Sequence, residues 1–495
     1  MMLSINIGEL LSHRAFIMPD VEGYIGRKRY TFKEMNERAN KFAHYLKEKN
    51  LKKGDRVALL AKNNEDFITV FFAAVKLGII TVPINWRLKP NEITYILSNS
   101  QPSLLIYDDV FEKVIEQVKE GFPIDTLQSG NDNFDNVFNS FSTEEPTLEA
   151  EGDDTALIMY TSGTTGKPKG AMITHTNLLA ASIGMSHVID WWAGDRFLSV
   201  APFFHIGGFA PIITNVHNGS TAVLMPDFDP VAVWQTIEKE RITTMMTIPA
   251  MLQFMFKVFD KVKPDYSSLR NVTCGASPVP PTLIEAYDAL NIPVQQVYGI
   301  TEYSGAVSFW KKTMDETKIK SMGKTVFHGK VEIVNPETGE KLGANQVGEI
   351  VCHGPQVFKG YWRNKKETEK VLSNRIYRTG DLGMVDKDGF LYVVDRLKDM
   401  IISGGENIYS TELENVIRTL PGVADVAVVG KPDKKWGEIP KAYVVLHEDG
   451  SITEEEVIQV TRNNLASYKV VKEVEFIKEL PRNATGKVLK HKLVD

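Results

Sequence analysis

Short strand-like runs alternate with helix-like runs along the first part of the chain, and this alternation is the strongest constraint on its fold. Thr31 and Glu34 have the spacing of a capping box, and apolar residues at helical spacing follow them. A strand-like run over residues 56–61 comes next, and a helix-like run over 66–77 leads into another strand at 79–83. Strands that alternate with helices predict a parallel sheet covered by helices, so we expect a layered α/β fold.

The pattern changes after residue 331. Between residues 331 and 395 short strands are separated by glycine-containing turns, which predicts a small, mostly β subdomain. After Arg396 a second self-contained pattern predicts a helix over 410–420, strands over 423–429 and 441–446, a helix after Thr453 and a strand over 473–477.

These patterns predict two domains. We expect a large N-terminal domain over residues 1–395, built of layered α/β subdomains plus the small β subdomain, and a small mobile C-terminal α+β domain over 396–495. A length of 495 residues agrees, because a prior of roughly 150 residues per domain gives about three structural units. The acidic segment 144–154 has almost nothing to bury, and we interpret it as a solvated connector.

Charge and composition exclude several classes of protein. The net charge of -6 provides no basic field for a nucleic-acid backbone, so we expect no nucleic-acid partner. The two cysteines, Cys274 and Cys352, are far apart, which favours a reducing cytoplasm over a disulfide framework. The apolar run 71–84 is too short and too interrupted to span a bilayer, so we expect no transmembrane segment, although peripheral membrane contact stays open.

The strongest local signal is the segment 161–170, which has three glycines, four hydroxyl side chains and two lysines. It follows a strand-like run and precedes a helix that we expect to begin near Thr174. Glycines let successive N–H groups turn toward one anion, while hydroxyls and lysines add donors and charge, so the segment predicts a polyphosphate-binding loop. A plain surface turn is the alternative. The spacing of its glycines and Pro168 after Lys167 exclude a Walker A loop.

Five segments read in order resemble the adenylate-forming (AMP-binding) superfamily, which includes acyl-CoA synthetases, peptide-synthetase adenylation domains and beetle luciferases. These segments are 161–170, 298–302, 377–381, 395–399 and 481–487. The resemblance implies an AMP-forming acid–thiol ligase, an acyl-CoA synthetase of the fatty-acid–CoA ligase branch. Such an enzyme uses ATP and Mg²⁺ to convert a carboxylic acid to acyl-AMP, and it then transfers the acyl group to CoA.

The resemblance also implies roles for single residues in the adenylation step. Lys487 would bridge the carboxylate and the α-phosphate, Thr301 would contact the α-phosphate, Glu302 would ligate Mg²⁺, and His205 would face the acid. The residues implied in ATP binding are Thr161, Ser162, Gly163, Thr164, Thr165, Gly166, Lys169, Gly275, Ala276, Ser277, Tyr298, Gly299, Thr301, Asp381, Arg396 and Lys487. Each has an ordinary alternative, such as a core aromatic for Tyr298 or a helix cap for Glu302.

Two further sets of residues follow from the resemblance. Lys398 falls at the hinge about which the small domain would rotate between the two half-reactions. The residues implied in CoA binding are Gly404, Gly405, Glu406, Arg87 and Trp436. The residues implied in the acyl pocket are His205, Ile206, Gly207, Gly208, Phe209, Ile300 and Ser304, with Gly207 and Gly208 expected to leave room and Phe209 to match a gating aromatic.

The identity of the acid is the least determined prediction. Apart from Glu302, the expected pocket segments carry no Asp, Glu, Lys or Arg, which favours a medium- or long-chain fatty acid. Alternatives are an aryl-acid CoA ligase of the 4-coumarate, benzoate or succinylbenzoate type, and a nucleotide-binding sensor without turnover. The sequence leaves open the chain length, the oligomeric state, the pathway and whether CoA is the only acceptor.

Overall fold

The computed structural model describes residues 5–161, 167–448, 450–482 and 488–494. In chain order its helices are α1 (Glu9–Ile17), α2 (Phe32–Glu48), α3 (Glu65–Lys76), α4 (Pro90–Ser100), α5 (Glu112–Gly121), α6 (His175–Ser186), α7 (Ile206–Asn218), α8 (Pro230–Lys239), α9 (Pro249–Val262), α10 (Pro281–Asp288), α11 (Lys365–Val371), α12 (Ser410–Ile417) and α13 (Glu454–Asn464). Within the described residues, none of these helices is both long enough and apolar enough to cross a membrane.

The strands are given in the same order. They are β1 (Glu22–Ile25), β2 (Arg29–Thr31), β3 (Arg56–Leu60), β4 (Ile80–Pro83), β5 (Leu104–Asp108), β6 (Thr126–Ser129), β7 (Thr155–Thr161), β8 (Lys169–Thr174), β9 (Arg196–Ser199), β10 (Thr221–Leu224), β11 (Thr244–Thr247), β12 (Asn271–Gly275), β13 (Val294–Ile300), β14 (Gly305–Trp310), β15 (Lys324–Thr325), β16 (Lys330–Val334), β17 (Gly348–His353), β18 (Gly360–Tyr361), β19 (Leu372–Ser373), β20 (Ile376–Val385), β21 (Leu391–Arg396), β22 (Ile401–Ser403), β23 (Glu406–Ile408), β24 (Val423–Asp433), β25 (Gly437–Leu446) and β26 (Glu473–Phe476).

The chain divides into two compact units. Unit 1 comprises Met1–Val331 and Cys352–Tyr377, and unit 2 comprises Glu332–Val351 and Arg378–Asp495. Compactness therefore assigns most of the β subdomain to the same unit as the C-terminal lobe. The predicted division into domains 1–395 and 396–495 stays a prediction.

Unit 1 contains two large sheets. One has the strand order β15-β14-β13-β12-β11-β9-β10-β1-β2, and the other has the order β18-β8-β7-β4-β3-β5-β6. Most neighbours are parallel, for example β3 with β4 and β5, and β12 with β11 and β13. Helices α4 and α5 contribute Ile93, Leu97 and Ile115 to the core of the second sheet. The predicted α/β class is confirmed.

Short polar side chains cap several helices of unit 1, and the Thr31 cap is the one that the sequence predicts. Thr31 caps α2, and its side chain and that of Glu34 form the reciprocal hydrogen bonds of a capping box. Asn64 caps α3 by accepting a hydrogen bond from the N–H of Phe67. Thr174 caps α6 in the same way as Thr31 caps α2, so the helix predicted near Thr174 begins one residue later.

The acidic connector over residues 144–154 differs from the prediction, because it is anchored to buried side chains. Lys76, which is fully buried, donates hydrogen bonds to Asn36 at 2.7 Å, to Asn40 at 2.5 Å and to Glu145 of the connector at 2.7 Å. The N–H of Glu149 also donates to the Lys76 carbonyl. The connector thus supplies a counterion to a lysine inside unit 1.

Unit 2 contains the predicted C-terminal lobe. Its sheet has the order β23-β22-β25-β24, with β26 parallel to β25, and α12 and α13 cover it. The predicted strands over 423–429 and 441–446 are present and form one long hairpin, Val423–Asp433 with Gly437–Leu446. In the predicted β subdomain, β21 pairs with β20 and β17 lies between β16 and β20.

Candidate active site

The predicted phosphate loop connects two antiparallel strands of unit 1. β7 and β8 pair from Thr155 with Thr174 to Thr161 with Lys169, so the segment closes a hairpin where the sequence indicated a strand followed directly by a helix. Residues 162–166, which include the predicted ligands Ser162, Gly163, Thr164, Thr165 and Gly166, lie outside the described residues. Thr161 and Lys169, directly opposite each other, define the two sides of the loop.

Lys169 and Glu302 contact the same side chain in unit 1, that of Tyr361. The Lys169 ammonium lies 4.7 Å from the centre of the Tyr361 ring, and it donates a hydrogen bond of 3.2 Å to Glu367. The Tyr361 hydroxyl donates to the Glu302 carboxylate at 2.8 Å. The predicted phosphate-binding lysine and the predicted Mg²⁺ ligand are therefore linked through a side chain that neither motif contains.

Thr301 and Glu302 lie in a short 3-10 turn between β13 and β14. The turn is held by the N–H of Phe358, which donates to the Glu302 carbonyl at 2.9 Å, and by the buried Ser304 hydroxyl, which donates to the Gln356 carbonyl. Ser304 is left-handed, with φ of 58°. These contacts give the Glu302 backbone one defined position.

The predicted adenine-binding residues lie at the ends of two adjacent parallel strands. Gly275 ends β12 and pairs with Val297 of β13, beside Tyr298. A Cβ atom at Gly275 would lie 2.4 Å from the Val297 carbonyl oxygen, so only glycine fits there. Ala276 and Ser277 follow and are exposed, while Tyr298 is half-buried. The carboxyl edge of a parallel sheet is the usual location of a ligand site.

His205 stands at the beginning of α7, close to Arg87. Burial and the nearby Arg87 guanidinium lower the pKa of His205 to about 4, so its imidazole is neutral at pH 7. Its Nε2 atom is buried and has no hydrogen-bond partner among the described residues. Arg87 also stacks on Trp86 at 4.7 Å, and burial lowers the pKa of its guanidinium.

The two glycines that follow His205 differ in their surroundings. Gly207 is exposed, and a Cβ atom there would meet no atom within 4 Å. Gly208 is buried, and its Cβ would lie 2.2 Å from the Pro202 carbonyl oxygen. The expectation that both glycines leave room for substrate stays a prediction, and the crowding at Gly208 does not support it there, because this glycine allows the close approach of α7 to the preceding segment.

Phe209 is part of the core of unit 1. It is fully buried, with its ring centre 4.6 Å from that of Phe71 and 5.5 Å from that of Phe67. These contacts are those of a packed core aromatic. They do not support the prediction that Phe209 gates the acyl pocket. Ile206 is another predicted pocket residue. A Cβ atom built on Gly305 would lie 4.0 Å from its side chain, so the beginning of α7 lies close to the beginning of β14.

Unit 2 brings together the residues predicted for ribose binding. Asp381 of β20 and Arg396 of β21 are cross-strand partners, and the Arg396 Nε atom lies 3.1 Å from an Asp381 carboxylate oxygen. Lys398, the predicted hinge, lies two residues later in a short 3-10 turn. Asp395 accepts hydrogen bonds from Ser410 and Thr411 at the start of α12, so the segment before the hinge is anchored to the C-terminal lobe.

Gly404, Gly405 and Trp436, predicted for CoA binding, lie at two hairpin turns of unit 2. Gly404 and Gly405, with φ of 60° and 86°, form the turn between β22 and β23. The N–H of Gly404 donates to the Trp436 carbonyl at 2.7 Å, and the indole lies against Gly404, where a Cβ would be 2.8 Å from the ring. Trp436 is 47% exposed, and Glu406 follows the turn. These residues form one exposed surface.

Lys487 lies outside the described residues, but both flanks of its loop are defined. Arg482 and Val488 form an antiparallel bridge, and the N–H of Leu489 donates to the Pro481 carbonyl at 2.7 Å. Lys490 is held by the Ser410 hydroxyl at 2.5 Å and by the Glu414 carboxylate at 2.7 Å.

The whole chain can be compared with known proteins. The sequence profile described as AMP-binding enzyme matches residues 12–362, and that of the AMP-binding enzyme C-terminal domain matches 412–487. The chain belongs to the AMP-binding enzyme family. The predicted membership of the adenylate-forming superfamily is thereby confirmed.

Full-length members of this family are similar to the chain. A long-chain-fatty-acid–CoA ligase of Mycobacterium tuberculosis is 38% identical over 496 residues, covering 98% of this chain and 97% of that protein. A 2-succinylbenzoate–CoA ligase of Bacillus cytotoxicus is 36% identical over 485 residues, with 98% and 97% covered. These names confirm the predicted enzyme class, acid–thiol ligase.

A solved structure agrees with the fold of the AMP-binding enzyme. The O-succinylbenzoate coenzyme A synthetase of Bacillus subtilis in complex with ATP and magnesium ion has a TM-score of 0.88 and 32% identity, with 98% of each chain covered. That relative binds the nucleotide and the ion that the sequence motifs predict here.

Two residues near the predicted phosphate site were missed by the sequence analysis. Tyr361 and Glu367 lie in the segment 360–371, which has no glycine-rich loop. The sequence gives little indication of their role, because a tyrosine and a glutamate near the beginning of a short helix are common. Only the pairing of β18 with β8 brings them to Lys169.

Proposed function

We propose that this chain is an ATP-dependent acyl-CoA synthetase that activates a medium- or long-chain fatty acid as acyl-AMP and transfers the acyl group to CoA. The observation that carries the proposal is the convergence of Lys169 and Glu302 on Tyr361 at the end of the phosphate loop, in a chain whose full length matches CoA ligases. A metal-bound triphosphate would require both a cation and a carboxylate, and this pair supports the proposal.

The adenylation step requires charge neutralisation more than covalent chemistry. A carboxylate oxygen attacks the α-phosphorus, the bond to the β-phosphate breaks and pyrophosphate leaves, so negative charge must be stabilised on the phosphates. In this proposal the loop 161–169 binds the β- and γ-phosphates, Thr301 contacts the α-phosphate, and Lys487 bridges it to the carboxylate.

The carboxylate of Glu302 fits a magnesium ion that arrives with ATP. Within the described residues no group of three or more His, Cys, Asp or Glu side chains could hold a metal. Mg²⁺ in nucleotide sites is usually bound by one or two carboxylates plus substrate phosphates, so a single glutamate is sufficient. The ion, when bound, would neutralise charge on the phosphates.

His205 is suited to orient the acid. A neutral imidazole with a buried Nε2 that lacks a partner within the described residues can donate one hydrogen bond to a carboxylate oxygen. The ring is neutral at pH 7, so it would orient the carboxylate by a hydrogen bond. A charged imidazolium would make the carboxylate a weaker nucleophile.

The second step transfers the acyl group from AMP to the CoA thiol. We assign the pantetheine contact to the exposed surface of Gly404, Gly405, Glu406 and Trp436, and the nucleotide of CoA to Arg87. Asp381 and Arg396 are assigned to the ribose of ATP, and Lys398 to the hinge between the two steps. Cytoplasmic localisation remains part of the proposal.

A fatty acid is favoured because the expected pocket segments lack charged side chains other than Glu302. Those segments themselves offer no cation to a second carboxylate on the substrate, and an unpaired carboxylate is costly to bury. The similarity to a 2-succinylbenzoate–CoA ligase supports the alternative of an aryl acid.

Pyrophosphate release tests the proposal. Purified protein is incubated with ATP, Mg²⁺ and one acid from a series of C8, C12 and C16 fatty acids, benzoate and 2-succinylbenzoate, with and without CoA. We expect release with the fatty acids and acyl-CoA formation only when CoA is present. Activity with an aryl acid alone would replace the fatty acid with the alternative, and the absence of release with every acid would contradict the enzyme class.

A further inference from the structure

Tyr361 and Lys169 are neighbours because of the pairing of two strands. β18 runs antiparallel to β8, with Tyr361 opposite Ala171 and Gly360 opposite Met172. Alternate residues of a strand share a face, so Lys169 and Ala171 project to the same side of β8. Tyr361 is therefore the diagonal neighbour of Lys169, and the small, fully buried Ala171 opposite it leaves space for the ring.

The ring of Tyr361 has a cation on its face and a carboxylate at its hydroxyl. The distance from the Lys169 ammonium to the ring centre is 4.7 Å, within the range of a cation–π interaction. The hydroxyl donates to the Glu302 carboxylate at 2.8 Å, which is a charge-assisted hydrogen bond. Tyr361 is 5% exposed, so both contacts are largely shielded from water.

Tyr361 itself is held from several directions. Its N–H donates to the Thr368 hydroxyl at 2.9 Å, and its ring makes an edge contact with Phe358 at 5.0 Å. Phe358 in turn donates its N–H to the Glu302 carbonyl. The ring thus has one orientation relative to both the turn that carries Glu302 and the strand that begins with Lys169.

We propose that Tyr361 is a positioning residue for nucleotide binding: its hydroxyl orients the Glu302 carboxylate toward the metal, and its ring face seats the Lys169 ammonium beside the phosphates. This inference rests on the proposed function, because it assigns Glu302 and Lys169 the roles given there. It adds a residue outside the motifs on which that proposal is built.

The two contacts can be separated by two substitutions. Tyr361→Phe removes the hydroxyl and keeps the ring, so it removes the hydrogen bond to Glu302 and keeps the cation–π contact with Lys169. Tyr361→Leu removes both contacts. Tyr287→Phe is the matched control, because it also removes a buried hydroxyl, one that donates to the Leu252 carbonyl at 2.8 Å.

The experiment measures the dissociation constant of ATP by equilibrium dialysis with the full chain, once with excess Mg²⁺ and once with EDTA, together with the Mg²⁺ concentration dependence of binding. We expect Tyr361→Phe to weaken ATP binding about tenfold in Mg²⁺ and to leave binding in EDTA unchanged, as the loss of one hydrogen bond to a charged group predicts. Tyr361→Leu should weaken binding in both conditions, and Tyr287→Phe in neither.

The outcomes separate the inference from the function on which it rests. The positioning role would be overturned if Tyr361→Phe weakened ATP binding equally with and without Mg²⁺, or if it left the affinity unchanged in both conditions. In either case, ATP binding by the wild-type protein would still support the proposed function. A wild-type protein that binds no ATP in Mg²⁺ would overturn the proposed function and the positioning role together.

Discussion

Replacing Lys76 tests whether the acidic connector is anchored or merely solvated. The Lys76→Met substitution keeps the apolar stem and removes the ammonium group. Two acceptors that are buried with it, the side-chain oxygens of Asn36 and Asn40, then lose the ammonium, and Asn36 keeps only a long contact of 3.5 Å from the Ser12 hydroxyl. Glu145 is 46% exposed at its side chain and can recover water.

The magnitude follows from those two oxygens. An unsatisfied buried acceptor costs about 1–3 kcal/mol, so the loss of donors to both oxygens should lower the free energy of unfolding by about 2–6 kcal/mol. Unit 1 has roughly 350 residues, and at about 2.1 cal/mol/K per residue its unfolding entropy is about 0.7 kcal/mol/K. The Tm of unit 1 should therefore fall by about 3–8 °C.

Lys47 provides a matched control. It also pairs with the connector, through Glu149 at 3.4 Å, but both side chains are more than a third exposed. An exposed ion pair contributes about 0–1 kcal/mol, so Lys47→Met should shift the Tm by less than about 1.5 °C. Scanning calorimetry of both variants, with limited proteolysis within residues 144–154, gives the comparison. Equal shifts in Lys76→Met and Lys47→Met would refute the anchoring.

Four further predictions concern the site and its pH dependence. Lys487→Ala should reduce adenylate formation by orders of magnitude and leave thioester formation from supplied acyl-AMP largely intact; comparable loss in both half-reactions, measured separately, would count against the role of Lys487. Trp436→Ala should raise the KM for CoA several-fold without affecting pyrophosphate exchange into ATP, and a change confined to exchange would contradict its assignment. Gly208→Ala should lower the Tm because its side chain would overlap a backbone carbonyl, whereas Gly207→Ala should be neutral; the opposite order in melting curves would refute the packing argument. Burial lowers the pKa of His175 to about 4 from an unfolded value near 6.5, so the unfolded chain binds a proton first as the pH falls, and stability is lost between about pH 6.5 and pH 4. The loss should be roughly 2 kcal/mol at pH 5, and His175→Gln should reduce it in melting curves at pH 7 and pH 5; an unchanged acid dependence would show that other groups cause it.

The sequence by itself determined the class of the protein and most of its elements. The capping box of Thr31 and Glu34 is a local signal, because a cap depends on residues only a few positions apart. The strands predicted over 423–429 and 441–446 likewise follow from short apolar runs within one segment each. The ordered motifs were sufficient for the family, since each is a short contiguous segment whose residue types reflect phosphate and nucleotide chemistry.

The tertiary structure alone decided how residues distant in the chain are used. Gly207 and Gly208 are indistinguishable in sequence, but α7 packs so closely on the Pro202 carbonyl that only one of them is open. Phe209 resembles a pocket residue by position, and the rings of α3 make it part of the core.

Buried polar side chains depend most on the tertiary structure. Lys76 interrupts an apolar run in the sequence, and its burial is understandable only when α2 and the connector supply three oxygen acceptors around it. Tyr361 joins Lys169 to Glu302 only through the register of β18 on β8. The physical reason is the same in both cases: a buried charge or hydroxyl requires partners, and long-range packing rather than local sequence supplies them.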